Sequence, residues 1–167
     1  NPPARTLLDR LLRRFARASY AVAVLLMYLV ASTALGAALA PALWVWQRTA
    51  PLGTAWSGLA SVAWQGFCGA CCFFIFGLAL MAVVPIYNLL LPTRFKAFKG
   101  GYYTIHALPW FVHNGLFYLV RYTFLPFATL TPFGVWFLKA MGMKIGRHAF
   151  INTELISDPR FIEVGED

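Results

Sequence analysis

Two long stretches without a charged side chain limit what this chain can fold into. Residues 20–46 carry no charge, and neither do residues 49–93. About 20 consecutive apolar residues are enough for a helix to cross the hydrocarbon core of a bilayer. Only 12% of the 167 residues are charged, whereas about a quarter is usual in soluble domains. The sequence therefore predicts a membrane protein.

The first apolar stretch predicts a transmembrane helix over 20–47. Trp44 and Trp46 lie at its far end, and tryptophan is enriched where a membrane meets water. The preceding residues, 1–19, have leucines at helical spacing among basic residues, which is typical of an amphipathic helix on a membrane surface. Its basic side chains closest to the span are Arg13, Arg14 and Arg17. A cleavable signal peptide is not expected, because the apolar stretch that follows is long enough to cross a membrane.

The second apolar stretch predicts a transmembrane helix over 57–91, joined to the first by an external loop over 48–56. Five arginines precede the first span, and Arg48 alone lies between the spans. Three basic residues follow the second span: Arg94, Lys96 and Lys99. Basic residues are concentrated in cytoplasmic loops. We therefore expect a multi-pass protein of a bacterial-type plasma membrane, with the N-terminus and the segment after the second span in the cytoplasm.

The next segment, 92–142, is rich in aromatic residues but is interrupted by prolines and by charged and histidine side chains. A single crossing here would put the C-terminal tail outside. Interfacial helices, or a re-entrant pair of helices, would keep the tail cytoplasmic, and this is the arrangement that we expect. The last piece, 131–141, predicts a short helix with Thr131 as N-cap and Pro132 at the first helical position, ending at Gly142.

The final residues, 143–167, have a six-residue rhythm. Ile145-Gly146 is followed six residues later by Ile151-Asn152, and Val164-Gly165 lies thirteen further on, which is two hexapeptides plus one residue. Such spacing is typical of a left-handed parallel β-helix, in which each hexapeptide forms one side of a triangular coil. Asp158-Pro159 would hold the extra residue in a corner loop. Because a stable solenoid needs about three repeats, we expect further coils after Asp167.

The predicted fold is thus an α-helical membrane protein with two spans and interfacial or re-entrant helices, leading into the first coil of a β-helix. The net charge of +8 does not indicate nucleic-acid binding, because thirteen of the fourteen Lys and Arg precede residue 150 and flank membrane segments. Membrane lipid is the expected partner instead. Three cysteines, at positions 68, 71 and 72, lie within an apolar run and are predicted to be small packing residues, so no metal site is expected.

The sequence resembles the membrane-bound C-terminal portion of ε-poly-lysine-synthetase-like proteins, which are related to non-ribosomal peptide synthetases. The residues that carry this resemblance are Gly101-Tyr102-Tyr103, the run from Phe133 to Arg147, and Phe150-Ile151-Asn152-Thr153. It covers roughly residues 85 to 167. In that family, spans alternate with hexapeptide-type domains that join carrier-bound amino acids to an amine. The match also fits the wider class of hexapeptide acyltransferases, including those that acetylate sugars.

The resemblance implies a membrane-anchored aminoacyl- or acyl-transferase that forms a peptide or amide bond from a thioester donor, either a phosphopantetheine carrier or coenzyme A. It also implies a carrier protein or domain as partner and an oligomer through the β-helix. No cofactor motif lies within this chain, and the segment alone is expected to be inactive. A non-catalytic membrane anchor or scaffold for a partner enzyme is the alternative, and a sugar O- or N-acetyltransferase is another.

Two residues are candidates for a site. His148 is the histidine of the hexapeptide tail, and a general base on the acceptor is the role that the resemblance implies for it; the alternative is that it faces solvent or the lipid headgroups beside the first coil. Arg121 lies in an apolar segment, where it either extends to the lipid headgroups or contacts a phosphate of lipid, coenzyme A or phosphopantetheine. His106 and His113 share a helical face, but no carboxylate or cysteine lies in their segment, so we expect interfacial packing.

Overall fold

The computed structural model of the chain describes residues 7–93 and 107–166, with side chains from residue 14 onward. These residues are largely helical. The helices are α1 (Leu7–Thr49), α2 (Leu59–Leu90), α3 (Leu108–Arg121), α4 (Leu125–Ala128) and α5 (Pro132–Ala140), with 3₁₀ turns at Ala50–Ala55 and Pro159–Phe161. Two short strands follow α5: β1 (Lys144–Ile145) and β2 (Glu163–Val164).

Helices α1 and α2 form an antiparallel pair, and both are long and apolar enough to cross a membrane. Small residues line their contact: Ala34, Ala38 and Ala42 recur every fourth residue on α1 and are buried. Close approach of this kind is the usual way in which membrane helices pack. The Cys72 Sγ donates to the main-chain oxygen of Ala42 over 3.3 Å. The cysteines thus lie within the described helix packing, as small residues.

The bounds of α2 agree with the predicted span over 57–91, whereas α1 differs from the prediction at its start. Residues 1–19 were expected to form a surface helix separate from the span. Instead, α1 continues without interruption from Leu7 to Thr49. The reason is local, since no glycine or proline occurs between Leu7 and Leu35. The Ser19 hydroxyl donates to the main-chain oxygen of Phe15, within the same helix.

Helices α3, α4 and α5 form a hairpin that runs along α2 and returns. His113 of α3 lies 2.8 Å from Asn88 of α2. Phe124, eleven residues after His113, contacts Gly77, eleven residues before Asn88 on α2. A Cβ on Gly77 would collide with the phenyl ring. Helix α5 then lines an apolar groove with Leu78, Met81 and Ala82, and Phe137 of α5 stacks on Phe117 of α3 at 5.9 Å. The chain therefore leaves the hairpin at the end of α2 where it entered.

The predicted helix over 131–141 is confirmed by α5, with Pro132 in the first turn and Gly142 at φ 102° after its end. A left-handed conformation at that position suits glycine. Thr131 is at the N-cap position but caps differently from the prediction. Its hydroxyl donates to the main-chain oxygen of Ala128 over 2.7 Å, and it accepts no bond from the first turn of α5.

The residues after α5 return on themselves in parallel. Lys144 pairs with Glu163 and Ile145 with Val164, a separation of nineteen residues. A Cβ on Gly146 would collide with the main chain at Gly165, so the two glycines stack closely. Ile145, Ile151 and Ile156 are buried in the same core as the helices. Each paired strand has only two residues, and the β-helix predicted from the hexapeptide spacing stays a prediction.

Candidate functional site

Seven side chains from three separate parts of the chain meet where the C-terminal segment contacts the helices. We call this set the polar cluster. Its members are Asn88 and Thr93 at the end of α2, Trp110, His113 and Asn114 on α3, and Asp158 and Arg160 around the second 3₁₀ turn. Four of them, Asn88, Thr93, His113 and Asn114, are buried. Buried polar groups are costly unless they are hydrogen-bonded, so these contacts hold the segment in one position.

Asp158 joins the C-terminal segment to α3. Its Oδ1 accepts from the indole Nε1 of Trp110 over 2.7 Å and from Nδ2 of Asn114 over 3.0 Å. The prediction for this residue was a corner turn. Its main chain does turn here, since the amide of Phe161 donates to the main-chain oxygen of Asp158. The carboxylate, however, makes no cap bond to the 3₁₀ turn and binds α3 instead.

Arg160 joins the C-terminal segment to α2. Its guanidinium donates to the main-chain oxygen of Thr93 over 2.7 Å. Thr93 in turn donates from its hydroxyl to the main-chain oxygen of Asn88 over 2.6 Å. The last carbonyls of a helix lack donors within the helix itself. The hydroxyl of Thr93 therefore caps a carbonyl in the last turn of α2, and Arg160 holds Thr93 in place just after the helix.

His113 lies between these two connections and is fully buried. Its Nδ1 lies 2.8 Å from Oδ1 of Asn88, and because an amide oxygen only accepts, Nδ1 carries the proton. Burial, together with the nearby charge of Arg160, lowers the pKa of His113 from 6.5 to about 4, and Asp158 acts in the opposite direction. The imidazole is therefore neutral near pH 7.

A neutral histidine with an amide oxygen on Nδ1 is the arrangement of a general base. The burial of His113 argues against that role, because no substrate reaches a side chain with 0% exposure. A pKa of about 4 is also far below the value near operating pH that suits a base. The polar cluster therefore has a structural role, which is to hold the C-terminal segment against α3 and the end of α2. Among residues 7–93 and 107–166, no three His, Cys, Asp or Glu side chains form a group able to hold a metal ion.

The predicted site residues are not brought together. Arg121 ends α3 at the far turn of the hairpin, where its guanidinium stacks on Tyr118 and Tyr122. His148 is exposed in a turn after β1, with φ 61°. The C-terminal segment that carries His148 contacts the chain just after α2, at Thr93, whereas Arg121 lies at the other end of the hairpin, near Phe124, which contacts Gly77 of α2.

The predicted membrane-interface residues are only partly described. Arg14 and Arg17 are exposed on α1. At the other end of that helix, Trp44 and Trp46 are exposed, and the Arg48 guanidinium lies 5.4 Å from the centre of the Trp44 ring. The side chain of Arg13 lies outside the described residues, as do Arg94, Lys96, Lys99 and His106.

Sequence reasoning missed the polar cluster because the contacts that join its three parts link residues 25 to 67 positions apart. His113 was expected to pack at the interface since no carboxylate lies in its segment, but the fold brings Asp158 from another segment to its neighbour Asn114. One signal was present. Asn88 and Thr93 are polar residues at the end of an apolar span, and Asp158 and Arg160 form an oppositely charged pair two residues apart.

Comparison of the chain with protein-family models, with curated proteins and with solved structures finds no match.

Proposed function

We propose that this chain is the membrane-anchoring part of a hexapeptide-type aminoacyl- or acyl-transferase. The observation that carries this proposal is the parallel return of the C-terminal segment after nineteen residues, from Ile145 to Val164. Three hexapeptides plus one residue give the same number, and the paired glycines at 146 and 165 stack as coil corners do. The polar cluster then fixes this first coil to the end of the helical pair.

The proposed topology has both spans in a bacterial-type plasma membrane and both chain ends in the cytoplasm. Two contacts support a common side. Arg160 meets Thr93 at one end of α2, and the ring of Tyr20, near the start of α1, lies 6.1 Å from that of Phe111. The exposed Arg14 and Arg17 are at this same end, and basic residues favour the cytoplasm.

The proposed reaction is transfer from a thioester, either a phosphopantetheine carrier or coenzyme A, to an amine or hydroxyl acceptor. The reaction class comes from the resemblance, and the cytoplasmic position of the tail agrees with it because carriers and coenzyme A thioesters are cytoplasmic. His148 is the candidate base within this segment, since it is exposed. Oligomerisation through the β-helix belongs to the same proposal.

Transfer is tested with the purified full-length protein in lipid nanodiscs, using carrier-bound and coenzyme A thioesters. A general base contributes about 10²- to 10⁴-fold, so loss of His148 is expected to slow transfer by that factor. The variant is His148→Asn, because asparagine tolerates the positive φ of 61° better than alanine does. The control is Arg147→Gln, at the exposed position next to it. An unchanged rate in His148→Asn would remove this residue from catalysis.

Topology is tested by labelling single cysteines after Cys68, Cys71 and Cys72 have been replaced. Leu155 is 76% exposed in the C-terminal segment, and Leu52 is 63% exposed in the turn between α1 and α2. An impermeant thiol reagent added outside intact cells should label a cysteine at 52 and leave one at 155 unlabelled. Labelling at 155 alone would reverse the proposed orientation.

A non-catalytic anchor or scaffold for a partner enzyme is the second candidate. One observation favours it, which is that the histidine and acid of the polar cluster are used in fastening, while Arg121 and His148 lie apart. The transfer assay distinguishes the two functions. No turnover of any thioester by folded full-length protein would favour the scaffold, whereas transfer to a sugar hydroxyl instead of an amine would identify a sugar acetyltransferase.

A further inference from the structure

Arg121 lies beside two aromatic rings, Tyr118 and Tyr122, whose centroids are 5.4 Å from each other. Its Cζ lies 5.4 Å from the ring centre of Tyr118 and 5.2 Å from that of Tyr122. A guanidinium carries five N–H donors, and among the described residues the contacts of Arg121 are those with the two rings. The salt bridge found among the described residues joins Lys144 to Glu163, so no described carboxylate neutralises Arg121. Arg121 is thus a cation without a counter-ion among the described residues.

The position of Arg121 along α2 follows from two contacts of α3. His113 contacts Asn88 and Phe124 contacts Gly77. From His113 to Phe124 is eleven residues, and from Asn88 back to Gly77 is also eleven. Arg121 therefore lies level with about residue 80 of α2. On the far side of the pair, Trp56 and Trp64 are in edge-to-face contact at 5.3 Å. About 20 residues cross the hydrocarbon core, and counting them from this aromatic pair places the inner boundary near residues 76 to 84. Arg121 is at that boundary.

The surface around the hairpin is apolar and uncovered. Tyr122 is 71% exposed and Phe127 is 58% exposed. On α5, Phe133 and Trp136 are also exposed and line a groove of about 510 Å³ against α2. Phe127 contacts Phe73 and Phe74 of α2, deeper in the membrane than Arg121, where apolar side chains face lipid acyl chains. At the boundary itself the phosphate of a membrane lipid is within reach of Arg121, whereas a soluble carrier or coenzyme A stays in the water beyond the headgroups.

We propose that Arg121, with Tyr118 and Tyr122, binds the phosphate of an anionic phospholipid in the cytoplasmic leaflet. An anionic headgroup is favoured because it brings no cation of its own and so neutralises Arg121, which a zwitterionic headgroup does not. This inference rests on the membrane orientation in the proposed function. It is independent of the transfer chemistry, so absence of thioester turnover leaves it standing.

The test uses the full-length protein in phosphatidylcholine nanodiscs that contain a small fraction of phosphatidylglycerol with a photoreactive headgroup. Crosslinked peptides are identified by mass spectrometry. Crosslinking to the peptide that contains residues 118–127 is expected, and Arg121→Gln should reduce it by about tenfold or more, as expected for loss of charged hydrogen bonds. Arg48→Gln is the matched control, because Arg48 also lies over an aromatic ring, that of Trp44. Arg48 is in the last turn of α1, on the side of the membrane opposite to Arg121 in the proposed topology.

A second variant protects the test against loss of folding. Tyr118→Leu keeps the charge of Arg121 but removes one ring, and it should weaken crosslinking less than Arg121→Gln does. Equal crosslinking in the Arg121→Gln and unaltered proteins would overturn the proposal. So would equal competition by unlabelled phosphatidylcholine and unlabelled phosphatidylglycerol. Equal crosslinking of a water-soluble photoreactive glycerol phosphate, offered in place of the lipid, would reassign the site to a free phosphate and overturn the lipid proposal.

Discussion

Arg160 donates to the main-chain oxygen of Thr93 over 2.7 Å, although 67 positions separate the two residues in the chain. The second terminal nitrogen of the same guanidinium lies 3.4 Å from the hydroxyl of Thr93. Thr93 is fully buried, so its carbonyl has no bulk water as an alternative partner. The stability of the end of α2 therefore depends on a residue from the C-terminal segment.

Replacement of Arg160 by Gln is expected to lower the free energy of unfolding. Hydrogen bonds to charged groups contribute about 1.5–3 kcal/mol, and the buried carbonyl of Thr93 loses its donor. Thermal unfolding in detergent and limited proteolysis of the C-terminal segment measure the effect. Arg147→Gln is the control because Arg147 is exposed, and an equal loss of stability in both variants would contradict the role given to Arg160.

Stability is expected to fall as the pH decreases from about 6.5 to about 4. The pKa of His113 is lowered from 6.5 to about 4 in the fold. Between these pH values His113 is protonated in the unfolded state and neutral in the folded state, so protonation favours unfolding. A shift of this size corresponds to about 3 kcal/mol in total. The stabilisation is fully present above pH 6.5 and is lost as the pH approaches 4.

His113→Gln isolates this effect, because glutamine does not titrate. The difference in unfolding free energy between the original protein and this variant should change through the window from pH 6.5 to pH 4. His148→Asn is the control for loss of a histidine, since His148 is exposed and asparagine tolerates its φ of 61°; a pH profile of this control equal to that of His113→Gln would contradict the role given to His113. Parallel pH profiles for the original and His113→Gln proteins would show that His113 does not carry the dependence.

Gly77→Ala is expected to destabilise the contact between α2 and the hairpin. A Cβ at this position would overlap the ring of Phe124, and overpacking of a tight contact costs about 1–3 kcal/mol. Gly66 is a matched control on the same helix, because nothing lies within 4 Å of a Cβ placed there. Gly66→Ala should leave thermal stability unchanged or slightly raised. Equal melting temperatures for the two variants would mean that the hairpin does not pack on α2 at Gly77.

A peptide of residues 143–167 is expected to be disordered by circular dichroism. Its buried residues Met143, Ile145 and Ile156 pack in the same core as Phe137 and Met141 near the end of the hairpin, and the peptide lacks these partners. A two-residue parallel pair is too short to be stable by itself. Stable β-structure in the isolated peptide would show that the segment folds without the helices.

Local patterns predicted the local parts of the fold. The span over 57–91 and the short helix after Thr131 could be predicted because apolar length and helix-end residues act within a few positions. The polar cluster could not be predicted in this way. Asp158 had an adequate explanation as a turn residue, and His113 as an interfacial one, and only the return of the hairpin brings their segments together.

The wide separation of Thr93 and Arg160 has a consequence for the order of assembly during synthesis. Chains are made from the N-terminus onward, and distant contacts form late. Helices α1 and α2 are complete long before Asp158 and Arg160 are translated. Until then, the buried carbonyl of Thr93 lacks its donor from Arg160. A nascent chain interrupted before residue 158 would hold a fully formed pair of apolar helices with an unfinished end, a feature that quality-control proteases are expected to recognise.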